Sequence, residues 1–384
     1  MEIRGISLYR VLAIGILICT VTTPNFFSIL YVQASTVSTF DNNGVSGAQT
    51  TIVIPVEFKD VKHHKTREEI GKSIFGDLNR YITEVSYSAA SVTGDTTDWI
   101  TLPHEISYYG RDSIPGLDSE IRQLFRDSIQ AVDNQVNFTL YEHIMIIHAG
   151  KGQETSGIPS DIWSEYIRCN PPVYADGLTI KNVMVVPEEE AAGKDPLGVI
   201  AHEFMHSLGL PDLYPAYGLK SKYLDCWDLM DRGFCNGKPP GGSSPAQLSA
   251  WSRLYLGWPV KTKTIYAGSL VNITLSPLEA PSSQTQVVIL PMIPDKYYLV
   301  EVRQQLGFDQ YLPSHGVLIT EVNEKLPPQS GMVKVVNANP KAPGLGNATF
   351  KVGQSYNDSS KLVRITILSE DGACTLLIDR TLSK

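Results

Sequence analysis

One run in the chain has residue types and spacing that can do chemistry. His202-Glu203-Phe204-Met205-His206 is followed by Gly209 and then by Asp212. Two histidines four positions apart on a helix lie on one side of it, a turn apart. Neutral imidazoles so placed can share one metal ion, and zinc at about 2.0–2.1 Å is the usual guest of this spacing. Glu203 points to the neighbouring face, beside the open coordination position. There it can take a proton from a zinc-bound water, whose pKa the metal lowers to about 7. Gly209 can adopt positive φ and turn the chain sharply, which gives Asp212 a route back to the third ligand position. The expectation is one catalytic Zn2+ held by His202, His206 and Asp212, with Glu203 as general base.

Two features qualify that set. Glu301, in the apolar strand Tyr297–Val302, competes with Asp212 for third ligand, because an acid among Tyr, Leu and Val needs a partner. Its bland alternative is a pair with Arg303. Downstream, Cys226-Trp227-Asp228-Leu229-Met230-Asp231-Arg232-Gly233 places Met230 in a turn-like setting of the kind metzincin peptidases carry under the metal. An oxyanion donor stays open among Tyr214, Tyr217, Tyr223 and Arg232. His104, His143, His148 and His315 stand alone, and His63-His64 reads as a solvated turn.

The elements that must position these groups are legible in outline. Asp195 reads as an N-cap with Pro196 at the first helical position, and Gly209 as the stop; Leu197, Ile200, Ala201, Phe204 and Leu208 form the buried stripe between. Thr66 followed by Glu69 is a capping-box signature, and Ile70, Ile74, Leu78, Ile82 and Val85 recur behind it at helical spacing. Asp118 reads as the cap of a second helix with Ile121, Leu124, Phe125, Ile129 and Val132 inward. Thr51–Phe58, His143–His148 and Asn182–Val186 read as strands, so strands alternate with helices. After Trp258 the pattern becomes short strands: Thr264–Ile273, Val287–Leu290, Tyr297–Arg303, Gly316–Val322 and Leu362–Leu368. The expected fold is α+β: a catalytic domain over 50–258, with a mixed sheet and an active-site helix, then a smaller β-rich domain over 259–384.

Composition sets the class. The chain has 384 residues, 42% hydrophobic and 19% charged, too apolar for disorder. Its 40 acids against 32 bases give a net charge of −8, which speaks against nucleic acid as a partner. Arg4 and Arg10, the apolar stretch from Val11 and the Val32-Gln33-Ala34 pattern read as an export signal over 1–34, with 35–49 as a linker or short pro-segment. The expected place is secreted or extracellular, without stable membrane insertion once the signal is removed, or surface-anchored if the signal is kept. Cys169, Cys226, Cys235 and Cys374 then form an even set, for which Cys226–Cys235 and Cys169–Cys374 are the preferred pairs.

The stretch from Gly198 to Tyr214 resembles the zinc motif of the immune inhibitor A family of secreted metallopeptidases, and Trp227-Asp228-Leu229-Met230 with Gly233 is similar to that family's Met-turn. Pro55–Asp60, Glu84–Tyr87, His148–Gly150, Asp161–Ser164, Ser249–Trp251, Leu256–Trp258 and Tyr298–Gln304 continue the likeness across roughly 51 to 322. The resemblance implies a zincin-type catalytic domain, one catalytic zinc, protein or peptide substrates and secretion. The expected function is a secreted zinc endopeptidase. The competing class is an exported binding or structural protein with a vestigial or structural zinc site.

Overall fold

A computed structural model describes residues 44–114, 117–191, 193–215, 222–238 and 241–382. The expected signal, most of the linker and Tyr217 lie outside these residues. Seventeen strands and seven α-helices are seen among them, with one π and several 3-10 segments between.

The first sheet has six strands: β1 (Gly47–Glu57), β2 (Ala90–Thr96), β3 (Ile100–Thr101), β6 (His143–Lys151), β7 (Glu165–Ala175) and β8 (Leu178–Glu189), in the order β2-β1-β6-β8-β7 with β3 beside β1. β4 (Asp112–Ile114) and β5 (Leu117–Asp118) form a separate two-stranded ribbon. β1, β2, β6 and β8 run parallel, and β7 closes one edge antiparallel to β8. Successive side chains of a strand face opposite ways, so a central strand with both faces covered is apolar throughout. Accordingly Ile52, Ile54, Ile144, Ile146, Val183 and Val185 pack on one face, against Ile121, Leu124, Phe125 and Ile129. Val53, Met145, Ile147, Met184 and Val186 pack on the other, against Ile70, Ile74, Ile200 and Phe204.

Four of the helices cover these faces: α1 (Arg67–Lys72), α2 (Asn79–Val85), α4 (Ile121–Val132) and α6 (Leu197–Ser207). Thr66 caps α1 with the full reciprocal capping box to Glu69. Between α1 and α2 the helix widens into π turns over Ser73–Leu78. The inward residues 70, 74, 78 and 82 step by four, which an α-helix of 3.6 residues per turn would carry off the core; the wider turn keeps them on it. The remaining helices are short: α3 (Ile106–Gly110), α5 (Gln153–Ser156) and α7 (Ala250–Tyr255).

From residue 262 onward the described chain is strand and loop, with short 3-10 turns at Gly307–Tyr311 and Pro328–Ser330. β9 (Thr262–Thr264), β11 (Val287–Ile293), β12 (Lys296–Arg303), β13 (Gly316–Asn323) and β14 (Val333–Val335) form one sheet. β10 (Leu270–Leu275), β15 (Ser355–Asp358), β16 (Val363–Asp371) and β17 (Ala373–Asp379) form another. Tyr298, Val300 and Val302 of β12 pack with Ile365, Ile367, Leu376 and Ile378. Tyr297 and Leu299, on the opposite face of β12, join Phe204, Trp227 and Met230 instead. The β-rich region thus shares a core with the helix that carries the motif.

Several expectations are corrected. Thr264–Ile273 is not one strand but β9 and β10 in different sheets, parted at Gly268, whose φ is +85°. Asp118 does not cap α4; its carboxylate accepts from the Trp163 N–H at 3.0 Å. β7 was not foreseen, because Pro171-Pro172 interrupts it, and an edge strand tolerates that. All four described cysteines are free thiols. Cys169 is buried beside α4 and Cys374 within the later β-sheets, so the two belong to different cores.

Candidate metal centre

Helix α6 is held at both ends. Asp195 accepts from Leu197 N–H at 2.9 Å, so the helix starts one residue later than expected, with Pro196 at the cap position. A Cβ on Gly198 would lie 2.0 Å from the Phe234 carbonyl, so only glycine lets the helix approach that turn. At the other end Gly209 has φ +107°, and Leu210 N–H returns to the Met205 carbonyl at 3.1 Å. The reversal predicted from Gly209 brings Asp212 back over the helix.

Asp212 Oδ1 lies 3.1 Å from His202 Nε2 and 3.1 Å from His206 Nε2, and the two Nε2 atoms are 3.2 Å apart. On the far side of each ring, Nδ1 meets a backbone carbonyl: Leu229 for His202 at 3.1 Å, Leu210 for His206 at 2.7 Å. A carbonyl only accepts, so each Nδ1 carries the proton and each neutral ring turns a lone pair toward the other and toward the carboxylate. Three acceptors facing one another need positive charge among them. Ligands about 2.0–2.1 Å from a tetrahedral ion stand about 3.3 Å apart, close to the observed triangle. Without a metal ion that demand falls on a proton, held at His206. Burial works against a charged His206, but the Asp212 hydrogen bond and the Glu203 and Asp212 charges outweigh it and raise its pKa to about 9. Burial also opposes an ionised Asp212, yet the two histidines hold it well below the usual carboxylate range.

Glu203 is buried with ligand-type atoms within 4.8 Å of those of both histidines. Its Oε2 has no hydrogen-bond partner among the described residues. Burial raises its pKa, against the pull of His202 and His206. Asp212 Oδ2 receives the Gln329 amide at 3.2 Å, a contact across 117 residues that no motif announces. The Tyr214 ring lies 6.0 Å from that of His202, and burial with the Asp212 charge pushes its phenol pKa up. Glu301 does not join this group. Its oxygens are taken by Ala250 N–H at 2.8 Å and Arg303 at 3.2 Å, the bland alternative of the sequence.

The turn at Met230 lies under the centre through its backbone. Leu229 supplies the carbonyl to His202, and Leu213 N–H donates to the Met230 carbonyl at 2.8 Å. Asp228 fixes the turn by accepting from Met230, Ser249 and Ser252. The centre opens into a cleft of about 550 Å³ with Glu203, His206 and Asp212 on its floor, Trp163–Tyr166 on one side and Pro327–Gln329 on the other. A larger hollow of about 650 Å³, beside Glu84 and Glu279, contains neither imidazole. The other histidines stay apart: His104 stacks on Tyr108 and His148 is buried against its own backbone. His63-His64 is more than a solvated turn, since His63 pairs with Glu57 at 2.7 Å and stacks on Trp99.

Comparison with known proteins bears out the resemblance read from the sequence. Residues 139–261 match the family model for the immune inhibitor A peptidase M6 catalytic domain. Immune inhibitor A of Bacillus thuringiensis subsp. alesti is 28% identical over 275 residues, 54% of this chain and 39% of that protein. The pre-pro-metalloprotease PrtV of Vibrio cholerae serotype O1 is 28% identical over 223 residues, 47% of this chain and 24% of its own length. The matches thus span under two-fifths of these relatives. The peptidase M6 segment contains His202, Glu203, His206, Asp212 and Met230, while Gln329, which steadies Asp212, lies outside it.

Proposed function

We propose that the chain is an exported zinc-dependent endopeptidase in which His202, His206 and Asp212 hold one zinc ion and Glu203 is the general base. The observation that carries this is the convergence of two imidazole lone pairs and a carboxylate oxygen on a cleft floor, beside a buried carboxylate with one oxygen unengaged. A zinc ion, when bound, supplies Lewis acidity and a water that can attack at neutral pH. The chain supplies the rest. Leu229 and Leu210 fix the ring tautomers and leave both Nε2 atoms free to coordinate. Glu203 takes the proton of the attacking water on Oε2 and passes it to the leaving amine; its raised pKa suits an acid that must both accept and donate. The cleft is bordered by the start of β7, an edge strand, which suits an extended peptide.

The same reading takes 50–258 as a zincin-type catalytic domain, 259–384 as its β-rich companion, 1–34 as an export signal and 35–49 as a linker or short pro-segment. No helix among the described residues is long and apolar enough to cross a membrane. Casein cleavage by the wild type and by Glu203→Ala, with zinc measured in both, tests the proposal. Expected is zinc in both and a fall in turnover of about 10²–10⁴-fold in the variant. Near-normal turnover in the variant, or no zinc in the wild type, would overturn it.

A further inference from the structure

The cleft carries apolar surface that the chemistry of Glu203, His206 and Asp212 does not use. Trp163 is 39% exposed on its wall and belongs to none of the three apolar cores. The other four tryptophans are placed by their surroundings. Trp99 stacks on His63 and donates to the Lys65 carbonyl, and Trp251 packs on Tyr255. Trp227 and Trp258 donate to the Leu345 and Val45 carbonyls. Among the described residues the Trp163 indole alone has neither a ring contact nor a hydrogen bond; only its backbone N–H is held, by Asp118 at 3.0 Å. A large apolar side chain left out of every core and lining a cleft marks a recognition surface.

The opposite wall is apolar by construction. Pro327 and Pro328 stand in the loop between β13 and β14, and neither has an N–H to offer. Their carbonyls accept from Ser330 N–H at 2.9 Å and Gly331 N–H at 3.2 Å. Asn323 N–H closes the base of the loop on the Met332 carbonyl at 2.8 Å. Polar groups between the walls are taken as well: the Ser164 hydroxyl by Glu154, the Gln329 amide by Asp212. Glu165 is the exception, a half-buried acid whose pKa burial raises against the pull of Arg122. We propose that Trp163 and Pro327–Pro328 form a subsite for a large aromatic side chain, so that the substrates are peptides carrying Phe, Tyr or Trp beside the bond that is cut. An indole and two proline rings present flat apolar faces to such a ring, and the prolines hold their wall in place before binding. The inference rests on the peptidase reading for which bond is cut, but the subsite itself needs no turnover to be tested.

The test uses the full chain as Glu203→Ala, so that peptides are bound without being cut. Short peptides that differ at one position, Phe, Ala or Lys, are compared with that position moved along the sequence. Calorimetry should show the Phe peptide bound about 10–100-fold more tightly than the Ala peptide at one position. Adding Trp163→Ala should bring that ratio close to one with zinc content unchanged, and Trp163→Phe should keep most of it. Trp163 lies outside every core, so both variants should fold; Pro328→Gly probes the other wall and should lower the ratio in part. In the wild type the same ratio should appear in kcat/KM. Equal binding of the Phe and Ala peptides, a preference for Lys, or a Phe preference that survives Trp163→Ala would each overturn the subsite, the second giving the specificity to Glu165. Cleavage that depends on Glu203 but shows no Phe preference would refute the subsite and leave the peptidase reading standing. A Phe preference in binding, lost in Trp163→Ala, without such cleavage would do the reverse.

Discussion

Around Arg303, Glu279, Glu301 and Asp309 lie at 3.0, 3.2 and 2.5 Å, and the Trp227 carbonyl takes a further N–H at 2.8 Å. All four side chains are buried, and burial holds Glu279 well above the usual carboxylate range, so the guanidinium faces fewer than three full negative charges. Around His202 and His206 the arrangement is reversed. Backbone carbonyls hold both rings with Nε2 turned toward the middle, beside the Asp212 carboxylate. Both are buried knots of charge. The first supplies its own cation and is closed for good; the second, on the function proposed above, takes its cation from outside the chain. The first also braces the second, because Arg303 holds the Trp227 carbonyl just ahead of the turn that reaches His202.

The largest effect should follow from opening the closed knot. Arg303→Met leaves buried acids without their counter-charge, a change that costs about 3–5 kcal/mol. Urea unfolding should show that loss, or no folded protein at all. A loss under about 1 kcal/mol would mean that the acids are neutral without Arg303 and that the contrast between the two knots is false.

Asp118 is the intermediate case, a buried acid with one N–H and, among the described residues, no ion pair. Burial, then the nearby Asp112, Glu165 and Glu154, raise its pKa to about 7 against the opposing Trp163 N–H. A folded-state pKa above the unfolded value near 3.8 gives stability that is complete below pH 3.8 and lost as pH rises through 7. Asp118→Asn keeps an acceptor for Trp163 and removes the titration. Relative to wild type it should gain on the order of 2–4 kcal/mol at pH 8, and the gain should vanish near pH 4. Parallel Tm profiles from pH 4 to 8 check this, and a pH-independent difference would show that Asp118 does not titrate as its burial implies.

Gln329 probes the open knot without touching an atom proposed to coordinate the metal. It donates to the Asp212 oxygen that faces away from the histidines. Outer partners of this kind typically change metal affinity by about 10–100-fold. Gln329→Ala should weaken zinc binding in competition with a chromophoric chelator by about tenfold, with Glu203 and the helix unaffected. Unchanged affinity would make the contact incidental.

How far the sequence reached follows from distance along the chain. The meeting of His202, Glu203, His206 and Asp212 was legible because one helix and one glycine turn bring them together within eleven residues. The Glu301 alternative was legible as a question only: its partner Arg303 is two residues away, but Ala250 N–H and the geometry of the knot lie on other elements. Gln329 carried no signal, since its contact depends on how the β-rich region packs on the helix. β7 was hidden by its prolines. The Cys169–Cys374 pair failed because the two residues lie in different cores, which an even count does not reveal.

The smallest effect calibrates the others. Thr66 and Glu69 cap α1 reciprocally, with Glu69 N–H donating to the Thr66 hydroxyl at 3.2 Å and Thr66 N–H to the Glu69 carboxylate at 2.8 Å. The cap is local and lies outside the candidate metal centre, so its loss lowers global stability without moving a residue of that centre. Thr66→Ala should cost about 1 kcal/mol. Its zinc affinity should match the wild type, because a protein still overwhelmingly folded presents the same site. If Thr66→Ala weakened zinc binding as much as Gln329→Ala did, the Gln329 effect would be one of general stability, and the open knot would not depend on its outer partner.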